Sequence, residues 1–292
     1  IDSFNTVQLA TTLAMSDRHS ESVAKTENFN ADQQLTNGNN RKFSSDATGT
    51  NWNNNLLYRH KFAKKGRNVT LNGTFGLNFN DSESQNLSEN FLYGDDGTPT
   101  SIDTVLQDQT FINDVTTLGA RATYTEPLGK KRYVELSYAY NSTQNEADKD
   151  VFDIVEGQNQ FNDLLSNAYT NNFSYHRAGA GFRINKKTWN GSFGLDAQYA
   201  VLDGEVTSGV GQSVRQDFRH LLPRLDYNYE FSQSRRFSAD YNARVTAPTV
   251  QQLQPVPDVS DPLNVYLGNP NLKPEYANNL NLHYVQFNPG TM

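Results

Sequence analysis

Apolar and polar residues alternate one for one along this chain, over stretches longer than globular strands use. Val69, Leu71, Phe75, Leu77 and Phe79 share one parity, and Thr70, Asn72, Thr74, Asn78 and Asn80 the other. Trp189, Phe193, Leu195, Ala197, Tyr199 and Val201 oppose Asn190, Ser192, Asp196 and Gln198. Leu221, Leu225, Tyr227, Tyr229 and Phe231 oppose Arg224, Asp226, Asn228 and Glu230, and Phe237, Ala239, Tyr241, Ala243 and Val245 oppose Ser238, Asp240, Asn242 and Arg244. A period of two places successive side chains on opposite faces of a β-strand. The pattern predicts about ten strands, near 4–16, 50–63, 68–81, 114–126, 132–143, 171–185, 189–203, 218–231, 236–247 and 275–287.

Only 36% of the 292 residues are hydrophobic and mean hydropathy is −0.73, yet aromatics reach 12%. A disordered polar chain would have few aromatics and no periodicity. No stretch approaches the roughly 18 apolar residues of a membrane helix. A chain this polar can cross lipid only as a closed barrel, because lipid satisfies no backbone hydrogen bond. Strands of about 12–15 residues exceed the roughly 9–11 that cross a bilayer and the 5–6 that globular sheets favour. Cysteine is absent, which removes disulfides and thiolate metal sites. Residues 1–4 do not read as a signal peptide, so the leader is expected to have been removed, or the chain to be internal.

Connections alternate as regularly as residues. Short turns lie at Ala63–Arg67, Pro127–Lys131, Asn185–Thr188 and Ser232–Arg235. Long loops are expected near 17–49, 82–113, 144–170, 204–217 and 248–274. Short turns at one end and long loops at the other is the outer-membrane barrel pattern, with the turns periplasmic, the loops external and both termini periplasmic. Aromatics beside the short turns (Phe62, Tyr124, Tyr133, Phe182, Trp189, Phe231 and Phe237) suit an interfacial girdle. One strand changes parity: Phe173 and Tyr175 are odd, Phe182 and Ile184 even. A β-bulge at Ala178–Gly181 would switch its faces.

Charge is segregated. The segment from Asp81 to Asp114 holds eight carboxylates and no lysine or arginine, and the next long segment holds Glu146, Asp148, Asp150, Asp153, Glu156 and Asp163 against Lys149. The short turns hold Lys64, Lys65, Arg67, Lys130, Lys131, Arg132, Lys186, Lys187, Arg235 and Arg236. Carboxylates at Asp148, Asp150 and Asp153 suit calcium in kind but not in spacing, so solvated loop is the expectation there. Within strands, Arg121, Glu135, Asp196, Arg224, Asp226, Glu230, Asp240 and Arg244 have the polar parity and are expected to face the lumen. Folding the hairpin at Ser232–Arg235 would pair Phe231 with Phe237 and Tyr227 with Tyr241, setting Asp226 diagonal to Arg244. Such a lumen is either a wet pore or a surface that packs a plug.

No phosphate-binding glycine loop, His-Glu-x-x-His or Gly-x-Ser-x-Gly is present, so no cofactor, metal or catalytic residue is assigned. Asp17 with His19, and Asp217 with His220, lie at strand ends where a small ten-stranded protease would carry carboxylate–histidine pairs.

The most specific stretch runs from Arg244 to Glu275. It reads Arg244-Val245-Thr246-Ala247-Pro248-Thr249, then Gln252-Leu253-Gln254-Pro255, Asp261-Pro262-Leu263-Asn264 and Gly268-Asn269-Pro270-Asn271-Leu272-Lys273-Pro274-Glu275. Its prolines forbid ladder pairing and suit a proline-rich external crossing over 248–274. This stretch resembles the barrels of TonB-dependent receptors, in the outer membrane protein β-barrel branch common in Gram-negative Bacteroidetes. The resemblance implies an all-β, antiparallel transmembrane barrel of 22 strands, of which residues 1–292 would supply a partial wall. It implies a plug inside the barrel, TonB acting through an N-terminal region, outer-membrane lipid, the rest of the barrel and a surface lipoprotein as partners, and import of a bulky nutrient. The alternatives are a structural or assembly barrel and, third, the rim protease. No nucleic-acid partner is expected.

Overall fold

The computed structural model describes residues 3–94, 96–207, 212–253, 267–269 and 271–287. Ten strands follow one another as antiparallel neighbours: β1 (Asn5–Phe29), β2 (Leu35–Lys61), β3 (Asn68–Tyr93), β4 (Pro99–Gly129), β5 (Arg132–Val155), β7 (Asn167–Asn185), β8 (Trp189–Val206), β9 (Gln212–Ser232), β10 (Arg235–Thr246) and β11 (Glu275–Gln286). A short strand, β6 (Gln158–Phe161), folds back on β5. A single helical turn, α1 (Val250–Leu253), opens the proline-rich segment, most of which lies outside the described residues. Among the described residues β1 pairs only with β2, and β11 only with β10, so the sheet does not close on itself.

Each short turn falls where the sequence places it. The expected long loops do not stay loops. Over 17–49 the β1–β2 ladder continues to Phe29↔Leu35, and over 82–113 the β3–β4 ladder continues to Tyr93↔Pro99. The 144–170 segment extends β5 and adds β6, and 204–217 extends β8 and β9. The first five strands therefore run 25, 27, 26, 31 and 24 residues, about twice what lipid requires. In the outer halves of β1 to β3 polar side chains stand on both faces and leave little apolar period, whereas β4 and β5 keep Val105, Leu106, Phe111, Ala147 and Val151 among theirs. Cross-strand hydrogen bonds replace apolar packing: Asn39 Nδ2 donates to Ser88 Oγ at 2.6 Å and to Asn90 Oδ1 at 2.8 Å, and Arg41 Nε donates to Asn86 Oδ1 at 2.7 Å.

The burial pattern is inverted relative to a soluble protein. On β8, Phe193, Leu195 and Tyr199 are 57%, 42% and 42% exposed, while Asp196 and Gln198 between them are 6% and 4% exposed. Register carries one apolar face across the sheet, through Leu13, Trp52, Leu77 and Phe75 to Leu118, Leu136, Leu195, Leu221, Leu225, Tyr241 and Leu280. A flat single layer would leave both faces equally open. Covered polar side chains and bare apolar ones mean that the layer curls toward its polar face, as a barrel wall does.

Aromatics gather on the apolar face beside the short turns. Ring centroids run Trp189–Tyr227 at 6.1 Å, Tyr227–Phe237 at 6.5 Å, Tyr229–Phe231 at 4.6 Å and Phe231–Tyr284 at 6.4 Å. Tyr133 is the exception among the girdle residues. It pairs with Arg183 on the polar face, and the Arg183 guanidinium lies 5.1 Å from its ring centroid.

Two expectations about register are corrected. No bulge interrupts β7, whose ladders with β5 and β8 run without a shift. Phe173 and Tyr175 instead stay on the polar face, where Arg177 covers the Tyr175 ring at 4.9 Å. At the last short turn, Arg235 pairs with Ser232 and then Arg236 with Glu230, so Phe231 is the extra residue of a bulge. Phe237 therefore meets Tyr229, and Tyr241 meets Leu225. Asp226 lies directly opposite Asp240 rather than diagonal to Arg244.

Candidate functional site

All eight charged residues singled out by parity fall on the polar face, since each alternates with the apolar neighbours of its own strand. They form several local groups instead of one network. Arg224 Nη1 donates to both Asp196 carboxylate oxygens, at 2.9 and 2.8 Å. Arg183 meets Glu135 at 3.2 Å, and Arg236 meets Glu230 at 3.5 Å. Ser192 Oγ donates to Asp226 at 2.8 Å and Asn281 Nδ2 to Asp240 at 2.9 Å. Among the described residues, Arg121 and Arg244 have no carboxylate within ion-pair distance.

Glycines make room for the Asp196–Arg224 pair. Register aligns Glu135, Gly181, Gly194 and Arg224 in one row across β5, β7, β8 and β9, and Ser137, Gly179, Asp196 and Leu222 in the next. A Cβ on Gly194 would meet Arg224 Nε at 2.5 Å, one on Gly181 would meet Arg224 Nη2 at 3.2 Å, and one on Gly179 would overlap the Asp196 carboxylate. The alternating Ala178-Gly179-Ala180-Gly181 run therefore marks close approach of side chains from the next two strands, the second of the two meanings glycine has inside a strand. One row further from the turns, Arg177 Nε donates to Gln198 Oε1 at 3.0 Å, and His220 continues the row. Parity placed Gln198 on the polar side without marking it as a site residue and did not place Arg177; the glycines beneath their neighbours were the signal available.

At the short-turn end, a cleft of about 810 Å³ opens among Arg59, Arg67, Thr123, Thr125, Glu135 and Arg183. Beside it Glu126 accepts from Arg67 Nε at 2.7 Å, Lys64 Nζ at 2.6 Å and the Tyr124 hydroxyl at 2.6 Å.

The rim-protease residues are not brought together. His19 Nδ1 contacts Asp46 Oδ1 at 2.7 Å across the β1–β2 ladder, while Asp17 pairs with Thr48. Asp217 and His220 differ in parity and lie on opposite faces of β9, with His220 flanked by the Phe218 and Tyr276 rings. Asp148 and Asp150 share a face and Asp153 has the other, where Gln107 and Asn162 donate to it. Among the described residues, no three histidines or carboxylates gather as metal ligands.

Among solved structures, the chain is similar to the copper transporter OprC, with TM-score 0.48 and 11% identity over 98% of this chain and 53% of that one. It is similar to the apoprotein form of the FrpB iron transporter from Neisseria meningitidis, with TM-score 0.39 and 9% identity over 99% of this chain and 52% of that one. It is also similar to the unliganded ferric citrate transporter FecA, with TM-score 0.39 and 8% identity over 83% of this chain and 44% of that one. The chain spans about half the length of these structures. No curated protein matches it closely enough to count as a relative. The model of the outer membrane protein beta-barrel family matches residues 60–292, which takes in every strand from β3 to β11. With its apolar face bare, its polar face covered and that match over most of its length, this chain belongs to the outer membrane protein β-barrel family.

Proposed function

We propose that the chain forms part of the wall of a TonB-dependent receptor that imports a bulky nutrient across the outer membrane. The observation that carries this reading is the inside-out sheet: a polar, charged face inside the curl and an apolar face outside it. The eight charged residues then face the lumen. Their incomplete pairing supports a plug. Asp226 and Asp240 stand opposite each other on neighbouring strands, a like-charge arrangement that costs stability in isolation. Arg121 and Arg244 have no carboxylate within ion-pair distance among the described residues. A plug presenting opposite charges would satisfy all four.

In this reading the short turns are periplasmic and the extended hairpins external. Residues 248–274 make an external crossing, and the edges at β1 and β11 continue into the remaining strands of a 22-stranded wall, because open edges in lipid leave backbone groups unsatisfied. TonB acts through the plug region, and a surface lipoprotein caps the external side.

The test is comparative depletion of growth medium by three strains: wild type, one lacking the full-length protein and one lacking TonB. Loss of uptake of the same large solute in both mutants supports the proposal. Unchanged depletion in the strain lacking the protein, with envelope proteins co-purifying with it from the wild type, would replace transport by a scaffold role.

A further inference from the structure

The chain carries net charge −7, yet one edge of the sheet is strongly basic. Three short turns stand side by side there, joining β2 to β3, β4 to β5 and β7 to β8. Lys65, Lys130, Lys131, Arg132, Lys186 and Lys187 project from them, all exposed and none within ion-pair distance of a carboxylate among the described residues. The nearby carboxylates are already taken: Glu126 by Lys64 and Arg67, Glu135 by Arg183. Two of the turns are tied to each other directly, since the Asn185 amide donates to the Lys131 carbonyl at 2.9 Å. Lys130 and Lys131 have φ of 50° and 59°, the left-handed region that a tight hairpin turn demands and that glycine or asparagine adopts more easily. Cationic side chains occupy these positions at a steric cost.

Directly beyond the turns the apolar belt begins, with Phe62, Leu71, Leu136 and Phe182 bare on the outer face. A row of free cations bordering a lipid-facing belt lies at headgroup depth. We propose that this rim is a docking surface for anionic phospholipid, gripping the phosphodiester headgroups of the leaflet that adjoins the short turns. The inference rests on the barrel reading. Clustered lysines and arginines at a membrane surface attract anionic lipid additively, and salt screens the attraction.

Trp189 reports on the rim, because it follows Lys186 and Lys187 by two or three residues and joins the aromatic row. In full-length protein with the other tryptophans replaced by phenylalanine, its fluorescence is titrated with brominated phosphatidylglycerol or brominated phosphatidylcholine in mixed micelles. The expected result is a preference for phosphatidylglycerol on the order of tenfold at about 0.1 M salt, collapsing at high salt. The combined variant Lys65→Gln, Lys130→Gln, Lys131→Gln, Lys186→Gln and Lys187→Gln should lose the preference while phosphatidylcholine still quenches. The matching Lys→Arg variant, which keeps the charge, should retain it, so a glutamine variant that fails to fold leaves the Lys→Arg variant and the salt titration as tests. Equal quenching by both lipids in the unmodified rim would overturn the docking surface and leave the barrel standing. No quenching by either lipid would overturn both. Loss of the preference on replacing part of the salt by inorganic phosphate at constant ionic strength would assign the rim to a free anion and overturn the lipid assignment.

Discussion

Replacing Gly194 by alanine should unseat the Asp196–Arg224 pair. The new methyl would stand 2.5 Å from Arg224 Nε and 2.8 Å from its Cζ, so the guanidinium must leave the position from which it donates twice to Asp196. The Asp196 side chain is 9% exposed and that of Arg224 31%, which puts the pair between the surface and interior limits. At an effective dielectric of about 20, opposite charges about 4 Å apart attract by roughly 4 kcal/mol, of which solvent at the open side of Arg224 leaves roughly half. Alanine in a strand recovers about 0.5–1 kcal/mol over glycine. The net loss should be about 1–1.5 kcal/mol. Gly73 provides the matched control: it lies on the apolar face, and a Cβ there meets nothing within 4 Å. Gly73→Ala should be stabilising by about 0.5–1 kcal/mol, so two identical substitutions should differ by roughly 2 kcal/mol. The assay is urea unfolding of the full-length protein in liposomes, followed by the gel shift between folded and unfolded barrel. A second arm repeats Gly194→Ala in a background carrying Asp196→Ala and Arg224→Ala, where it should behave like Gly73→Ala. If the loss persisted there, or never appeared in the parent, the account of the glycines as clearance for this ion pair would be wrong.

Leu195→Arg should cost about 2–4 kcal/mol if that face meets lipid, whereas Val23→Arg, exposed beyond the belt, should stay within about 0.5 kcal/mol; equal tolerance in the same liposome unfolding assay would refute a lipid-facing belt. Asp240→Asn removes the repulsion with Asp226 and should raise barrel stability by about 0.2–1 kcal/mol in protein from which the plug has been displaced, with no gain expected once the plug is docked; a loss in the plug-free form would count against the like-charge pairing. The hydrogen bond to Asp46, reinforced by its charge, holds the His19 pKa above its ordinary value of 6.5. The contact therefore stabilises the β1–β2 hairpin fully below about pH 6.5 and fades as pH rises through the raised value. Histidine NMR titration should show the upward shift, and Asp46→Asn should remove the larger part of it, Glu21 at 3.7 Å from Nε2 keeping the rest.

Parity and turn chemistry made much of this fold legible without coordinates. The short turns, the membrane-crossing halves of the strands and the parity of the eight charged residues named from sequence follow from a period that is purely local: neighbouring side chains on a strand must point to opposite sides. The outer halves were not legible, because side chains there pair across strands, Asn39 with Ser88 and Arg41 with Asn86, and leave no apolar trace in sequence. Register was only partly legible. Reading the last hairpin with a turn one residue too long and without its bulge displaced its pairings by two residues, which turned a like-charge pair, Asp226 with Asp240, into an apparent attraction between Asp226 and Arg244.

By itself, then, the sequence determined that this chain is an antiparallel sheet with an apolar side and a polar side, and which residues belong to each apart from Tyr133, Phe173 and Tyr175, aromatics that the polar face holds. Only the tertiary structure decided which polar residues meet. Asp196 and Arg224 lie 28 residues apart in the chain, and their contact depends on the register of β8 against β9 and on glycines contributed by β7. Faces are set residue by residue along one strand, whereas partners are set between strands, where a single extra residue in a turn moves every pair beyond it.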